Sequence, residues 1–332
     1  MGGSSLAPDV FSQVYGARDG YLTLDILDST DPGAVLAYDQ ELDLTKTLFI
    51  VASKSGGTAE TLSFYKYFYN RVVAEVGEET AGAHFIAITD PGSKLEAMAD
   101  EHGFRKAFIN NPNIGGRYSI LSYFGIVPAG LIGAALQTLL KYGCDAAAEC
   151  GKDVEVQKNV GAILGAAMAE LADQGRDKLT FISSPGISSF EDWVEQLVAE
   201  STGKEGVGIL PIVAEAPAAP GNYGDDRLFV YQKLAGDDSL DAAVAELANA
   251  GQPVLQLVID DVLALARLCF IWEFGTAVAG VRMKINPFDQ PNVESAKVQA
   301  REMIKAYHDT GALPAETPAL TAAGVDVYGD TK

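Results

Sequence analysis

Cysteine is scarce in this chain: Cys144, Cys150 and Cys269 are the three present in 332 residues. They show no CxxC spacing and no nearby histidine pair, so no metal site is expected. An odd, sparse count fits a reducing compartment, and a cytoplasmic protein is expected. Small apolar filler is the ordinary role of such residues. Positive charge is also short. Lys and Arg number 24 against 45 Asp and Glu, a net charge of −21. Such a surface repels nucleic-acid backbones and anionic membranes, and both are excluded as partners. An anionic ligand would need a local positive pocket, for which Lys54, Arg117, Lys204 and Lys297 are candidates. No GxxxxGK[ST] run is present, so a nucleotide P-loop does not fit. The opening Met1, Gly2, Gly3, Ser4 does not read as a signal peptide. Residues 120–140 carry no charge and could span a bilayer by length. That run holds Tyr123, Pro128, Gln137 and several glycines inside an α/β pattern, so a buried helix or subunit interface is expected instead.

What is present is a globular composition, 48% apolar and 21% charged, with length enough for about two domains. Strands are predicted at 47–53, 84–89, 107–110, 178–184, 207–213, 228–233 and 253–260. Helices are predicted at 58–76, 92–102, 119–142, 153–173, 188–202, 240–249, 262–283 and 293–308. Continuous apolar strands separated by helices indicate parallel sheets covered on both faces. The fold class expected is doubly wound α/β, with ligands at the carboxyl ends of strands. The pattern occurs twice: KLTFISS followed by PGISS weakly echoes TLFIVAS followed by KSGGT. The organisation expected is a first unit at 1–145, a second at 150–308 and a loosely packed tail at 309–332, with the site in the cleft between the two units. MGGSSLAP reads as a loop and helix start without its preceding strand, so a fragment beginning inside its first α/β unit is expected.

Four blocks carry chemistry. In TLFIVASKSGGTAET (47–61) an apolar strand breaks into a loop and then a helix pattern. Gly56 and Gly57 let backbone approach an anion, while Ser53, Ser55, Thr58 and Thr61 offer hydroxyls and the helix its free N–H groups. Four hydroxyls and Lys54 suit a terminal monophosphate. In NIGGRYS (113–119), Gly115 and Gly116 precede Arg117 at a helix start, where a guanidinium can stabilise negative charge on an oxygen. In WVEQLVAESTGKEG (193–206), Gln196 and Glu200 share a helix face. Burial of Glu200 near the helix C-terminus would raise its pKa and suit a general base. Glu195, one step round, reads as an ordinary exposed residue. In NPFDQPNVESAK (286–297), Gln290 at a helix start and Lys297 about two turns on could face one ligand.

SKSGGTAET resembles the phosphate loop of the sugar isomerase (SIS) family. All four blocks, with GGSSLAP, occur in the order and rough spacing of glucose-6-phosphate isomerases. QLVAESTGKEGVGILP and INPFDQPNVE look most like the isomerase half of bifunctional transaldolase/glucose-6-phosphate isomerases. The resemblance implies two SIS-type units and reversible isomerisation of glucose 6-phosphate and fructose 6-phosphate through a cis-enediol, in glycolysis and gluconeogenesis. It implies Ser4, Ser53, Ser55, Thr58 and Thr61 on the substrate phosphate, with Lys54 giving backbone N–H or charge. Arg117, beside Gly116, would hold the C1 and C2 oxygens, and Glu200 would move the proton between C2 and C1. Gln196 and Gln290 would position the sugar, and Lys297 would assist at the ring oxygen. No metal and no cofactor is needed. A homodimer is expected from the apolar run at 120–140, and a transaldolase domain could be fused in the full-length protein.

The family's ring-opening histidine has no match in these blocks, since the chain has only His84, His102 and His308. Either that histidine lies in a region outside this sequence, or another group such as Lys297 serves. The alternative function is a non-catalytic sugar-phosphate-binding SIS module or an inactive isomerase fragment. Such a module would keep the Ser/Thr loop but have no use for Glu200, Arg117 and Lys297 together. A different SIS isomerase, or an amidotransferase's isomerase half, is disfavoured by INPFDQPNVE.

Overall fold

The computed structural model describes residues 2–329, apart from the side chains of residues 292–297. By contacts the chain forms two units, Met1–Phe288 and Asp289–Lys332. The first unit opens with helices α1 (Gly3–Tyr15) and α2 (Pro32–Glu41). The second of these starts where Asp31 accepts from the N–H groups of Gly33 and Ala34, with Pro32 in the first turn. Then come β1 (Phe49–Ala52), α3 (Ala59–Val76), the short α4 (Glu78–Ala81), β2 (Phe85–Thr89), α5 (Lys94–Glu101) and β3 (Lys106–Ile109). These strands form a parallel sheet ordered β1-β2-β3. The central strand FIAIT is buried at every position, as a strand covered on both faces must be.

Helices α6 (Tyr123–Leu131), α7 (Leu136–Glu149) and α8 (Val160–Asp173) lead to β4 (Lys178–Ser183), α9 (Phe190–Thr202), β5 (Leu210–Ile212), β6 (Arg227–Leu234), α10 (Asp241–Asn249), β7 (Val254–Ile259) and α11 (Leu265–Met283). The second sheet is also parallel, ordered β5-β4-β6-β7. Its core joins Phe181 and Leu228 of the sheet to Trp193 and Leu197 of α9 and to Leu268 and Trp272 of α11. Helix α1 belongs to this same core through Ala7, Val10 and Phe11. The chain's first helix therefore packs on the second sheet's helices, and that contact brings its start to the site described below. Val262–Met283 is long and apolar enough to cross a membrane, but its Leu265, Leu268, Cys269, Ile271 and Trp272 are buried inside the fold.

Several elements differ from the sequence reading. The helix predicted over 119–142 is two helices. Gly133, at φ +90°, sits where a Cβ would lie 2.7 Å from the Tyr21 ring, and the chain turns there. A uniformly apolar run carries no periodicity to reveal such a break. Helix α8 starts only after Asn159, whose side chain accepts from Ala162 N. Helix α2 was not predicted. The second unit holds α12 (Pro291–Thr310) and an antiparallel hairpin of β8 (Leu320–Ala322) and β9 (Val325–Val327). The tail at 309–332 is thus partly ordered, its turn made by Ala323 and Gly324 at positive φ.

Candidate active site

Helix α9 presents two faces. Trp193, Val194, Leu197 and Val198 are fully buried, while Gln196 and Glu200, one turn apart, share the other side. Gln196 Nε2 donates to Glu200 Oε1 at 3.0 Å. Arg117 reaches the same carboxylate from the turn Gly116–Tyr118, with Nη1 3.4 Å from Glu200 Oε2. Arg117 is only 2% exposed and is held firmly. Its Nε donates to Ser201 Oγ at 2.7 Å and its Nη2 to the Pro287 carbonyl at 2.6 Å. Tyr118 braces the same two acceptors, its hydroxyl lying 3.1 Å from Ser201 Oγ and 3.3 Å from Pro287 O. Burial pushes the Tyr118 phenol above its ordinary pKa, which keeps it a donor.

The Glu200 side chain retains 32% exposure. The burial expected of it gives way to partial exposure. The carboxylate is therefore reachable from solvent while its orientation is fixed by Gln196 and Arg117. The start of α1 closes on this cluster. A Cβ on Gly3 would lie 2.0 Å from the Gly116 carbonyl, and one on Gly2 would lie 3.1 Å from Gln196 Nε2. Only glycine permits backbone this near Arg117.

A second group surrounds the loop after β1. Ser53 is buried and its Oγ lies 3.0 Å from Thr58 Oγ1. Thr58 is the N-cap of α3 but makes no side-chain cap bond, so the first-turn N–H groups of that helix face the loop without it. Gly56, at φ +64°, lies where a Cβ would meet Leu95 N at 2.5 Å. Ser55 is exposed, and Thr61 is half-buried on the first turn of α3. Thr61 and Ser4 line one cavity of about 310 Å³. Lys54 does not offer its charge here: its ammonium pairs with Asp90 and donates to the Pro112 carbonyl at 2.8 Å. Lys204, also expected in a positive pocket, is 5% exposed and donates to the Asn286 carbonyl at 2.8 Å. It fastens the end of α9 to the segment that holds Arg117.

The structure thus brings Gly116, Arg117, Gln196 and Glu200 together, and collects Ser53, Ser55, Thr58 and Thr61 around one helix start. Gln290 is the N-cap of α12 in the second unit; the Lys297 side chain lies outside the described residues. His84 bonds the Thr47 carbonyl at 3.0 Å, His102 packs against Tyr65 and Tyr69, and His308 is in α12. Sequence reasoning missed Tyr118 and Ser201 as braces, although each directly follows a residue it singled out.

The sequence profile of the family described as phosphoglucose isomerase matches residues 1–226. The glucose-6-phosphate isomerase of Campylobacter jejuni is 26% identical in an alignment 350 positions long, covering 92% of this chain and 84% of that protein. A hypothetical protein of Thermus thermophilus superposes with a TM-score of 0.82 at 28% identity, covering 92% of this chain and 82% of that one. A glucose-6-phosphate isomerase of Chlamydia trachomatis shares the fold, with a TM-score of 0.77 at 20% identity over 93% of this chain and 69% of its own. With more than half its length matched by that profile, the chain belongs to the phosphoglucose isomerase family.

Proposed function

We propose that this chain is an aldose–ketose isomerase that interconverts glucose 6-phosphate and fructose 6-phosphate. The observation that carries the reading is a single carboxylate, Glu200, oriented by Gln196 and set 3.4 Å from a buried guanidinium. Isomerisation moves one proton between adjacent carbons. Glu200 takes the proton from C2 of the open-chain aldose. The C2–H electron pair becomes the C1–C2 double bond, and the carbonyl pair moves onto O1. The enediolate oxygen is stabilised by Arg117, whose hold on Ser201 and Pro287 presents the guanidinium without reorganisation. Glu200 then returns the proton to C1, while the proton on O2 passes to O1 and the C2 carbonyl forms. The carboxylate works on one face of the enediol, so its partial exposure is an asset.

Ser53, Ser55, Thr58, Thr61 and Ser4, with the first-turn N–H groups of α3, would bind the phosphate. With its ammonium on Asp90, Lys54 contributes to this site by fixing the loop or through its backbone. Gln290 and Lys297 remain the candidates for sugar positioning and the ring oxygen. The protein is further proposed to be cytoplasmic and homodimeric, and a transaldolase fusion remains the organisation implied by the resemblance in 196–211 and 285–294.

Fructose 6-phosphate in D₂O with the purified chain should acquire deuterium at C1 and yield glucose 6-phosphate, both read by NMR. Glu200→Gln should stop the exchange while sugar-phosphate shifts still report binding. Persistent exchange in that variant would overturn the base assignment. Binding without exchange in the unaltered chain would instead indicate a binding module.

A further inference from the structure

Two neighbouring backbone carbonyls, those of Asn286 and Pro287, are each gripped by a buried cation. Lys204, 5% exposed, donates from Nζ to Asn286 O at 2.8 Å, and Arg117 donates from Nη2 to Pro287 O at 2.6 Å. Lysine is seldom buried to this depth, because its ammonium must give up water. The chain around it is built to hold it there. Lys204 follows Gly203, the C-cap of α9, and exchanges both backbone hydrogen bonds with Val207, at 3.0 and 3.1 Å. Between them Glu205 and Gly206 stand at φ +55° and +80°, a tight hairpin turn whose geometry glutamate rarely adopts. The gripped segment is seated on α11. Lys284 closes that helix in the left-handed region, and Ile285 N donates back to Gly280 O at 3.0 Å. A Cβ on Gly280 would lie 2.7 Å from Pro287 Cγ, so the proline rests directly on the helix. Asn286 Oδ1 accepts from Phe288 N at 3.0 Å and fixes the turn. Lys204 adds the tie from this segment to α9, which carries Glu200.

We propose that Lys204 is a positioning residue for the isomerisation: by tying the end of α9 to Asn286, it sets how far the Arg117 guanidinium stands from the Glu200 carboxylate. The path is short. Lys204 fixes residue 286, the next carbonyl fixes Arg117 Nη2, and Arg117 Nη1 stands 3.4 Å from Glu200 Oε2. Lys204 acts through this path and not on the sugar. Proton transfer and enediolate stabilisation need both groups in their working places at once, and a misplacement of about 1 Å can cost about 10²-fold in rate. For its effect on rate the inference rests on the isomerase reading; the placement of Arg117 can be read without turnover.

The test uses the full chain. Lys204→Met keeps the apolar stem and removes the ammonium, and kcat should fall about tenfold or more while KM stays within about threefold. With arginine labelled by ¹⁵N, the buried Arg117 Nε–H on Ser201 Oγ is read by NMR and identified by its loss in Arg117→Lys. Its hydrogen exchange should quicken about tenfold or more in Lys204→Met, with amide exchange in β7 unchanged. Lys204→Ala should regain kcat and the slow signal in propylammonium, which replaces the missing atoms, but not in tetramethylammonium, which has charge and no N–H to donate. An unchanged Arg117 signal in folded Lys204→Met, or a kcat within about threefold of the parent, would overturn the proposal. Equal rescue by both cations would overturn it as a salt effect. If Lys204→Met does not fold, Lys204→Ala purified in propylammonium takes its place in both readouts as the cation is withdrawn. Should the unaltered chain place no deuterium at C1, the isomerase reading falls, while the Arg117 signal still decides whether Lys204 positions the guanidinium.

Discussion

Arg117→Lys separates charge from geometry at the candidate site. Lysine keeps the positive charge but concentrates its donors on one atom, whereas the guanidinium spans Ser201, Glu200 and Pro287 at once. An ammonium at this depth can satisfy one of the buried acceptors well, but not both Ser201 Oγ and Pro287 O in the same geometry. Hydrogen bonds to a charged donor contribute about 1.5–3 kcal/mol each. The single Tyr118 hydroxyl proton remains for one of these acceptors, the Pro287 carbonyl, which moderates the loss. The stability cost is therefore expected near ~2 kcal/mol, read as a fall in the urea midpoint. For activity, loss of one preorganised donor to an oxyanion costs about 10²–10³ in kcat. The enediolate exists only beyond the ground state, so the loss should fall on kcat and leave KM nearly unchanged. The assay is glucose 6-phosphate formation from fructose 6-phosphate, followed through a coupled dehydrogenase. A folded Arg117→Lys protein with kcat within about threefold of the parent would refute the role assigned to the fork.

Ser55→Ala combined with Thr58→Ala should weaken binding of phosphorylated sugars by about tenfold or more and hardly alter unphosphorylated ones, as calorimetry can show. Gly3→Ala forces a methyl against the Gly116 carbonyl, 2.0 Å from the built Cβ, and should cost about 1–3 kcal/mol along with much of the activity. Glu273 in α11 offers a pH test. Its Oε1 is buried without a hydrogen-bond partner among the described residues, and burial raises the carboxyl pKa well above the usual range. A raised folded pKa means stability that is complete below about pH 4.3, the unfolded value, and is lost as pH rises through the folded one. Glu273→Gln should thus gain on the parent as pH rises, in denaturation midpoints compared between acidic and neutral buffer. A constant difference across that range would refute the buried, protonated carboxyl.

The local pattern alone determined much of this protein. Apolar runs such as FIAIT and KLTFIS marked buried parallel strands, because a strand covered on both faces can hold few polar side chains. The spacing of Gln196 and Glu200 already put them on one helix face, since four residues make about one turn. Gly56, in the loop after β1, announced a close backbone approach. Tertiary structure decided what spacing cannot express. Arg117 and Glu200 lie 83 positions apart, and only the packing of the Gly116–Tyr118 turn against the end of α9 makes them neighbours. The same packing recruited Tyr118, Ser201 and the Pro287 carbonyl, acceptors and donors too common in sequence to signal a role. It also diverted two of the positive charges. Lys54 was expected to face an anion, but Asp90 stands nearer, and Lys204 was drawn to a carbonyl of residue 286. Periodicity records which side of an element is buried; which groups meet there is set by long-range packing, and the candidate site is built almost wholly from such meetings.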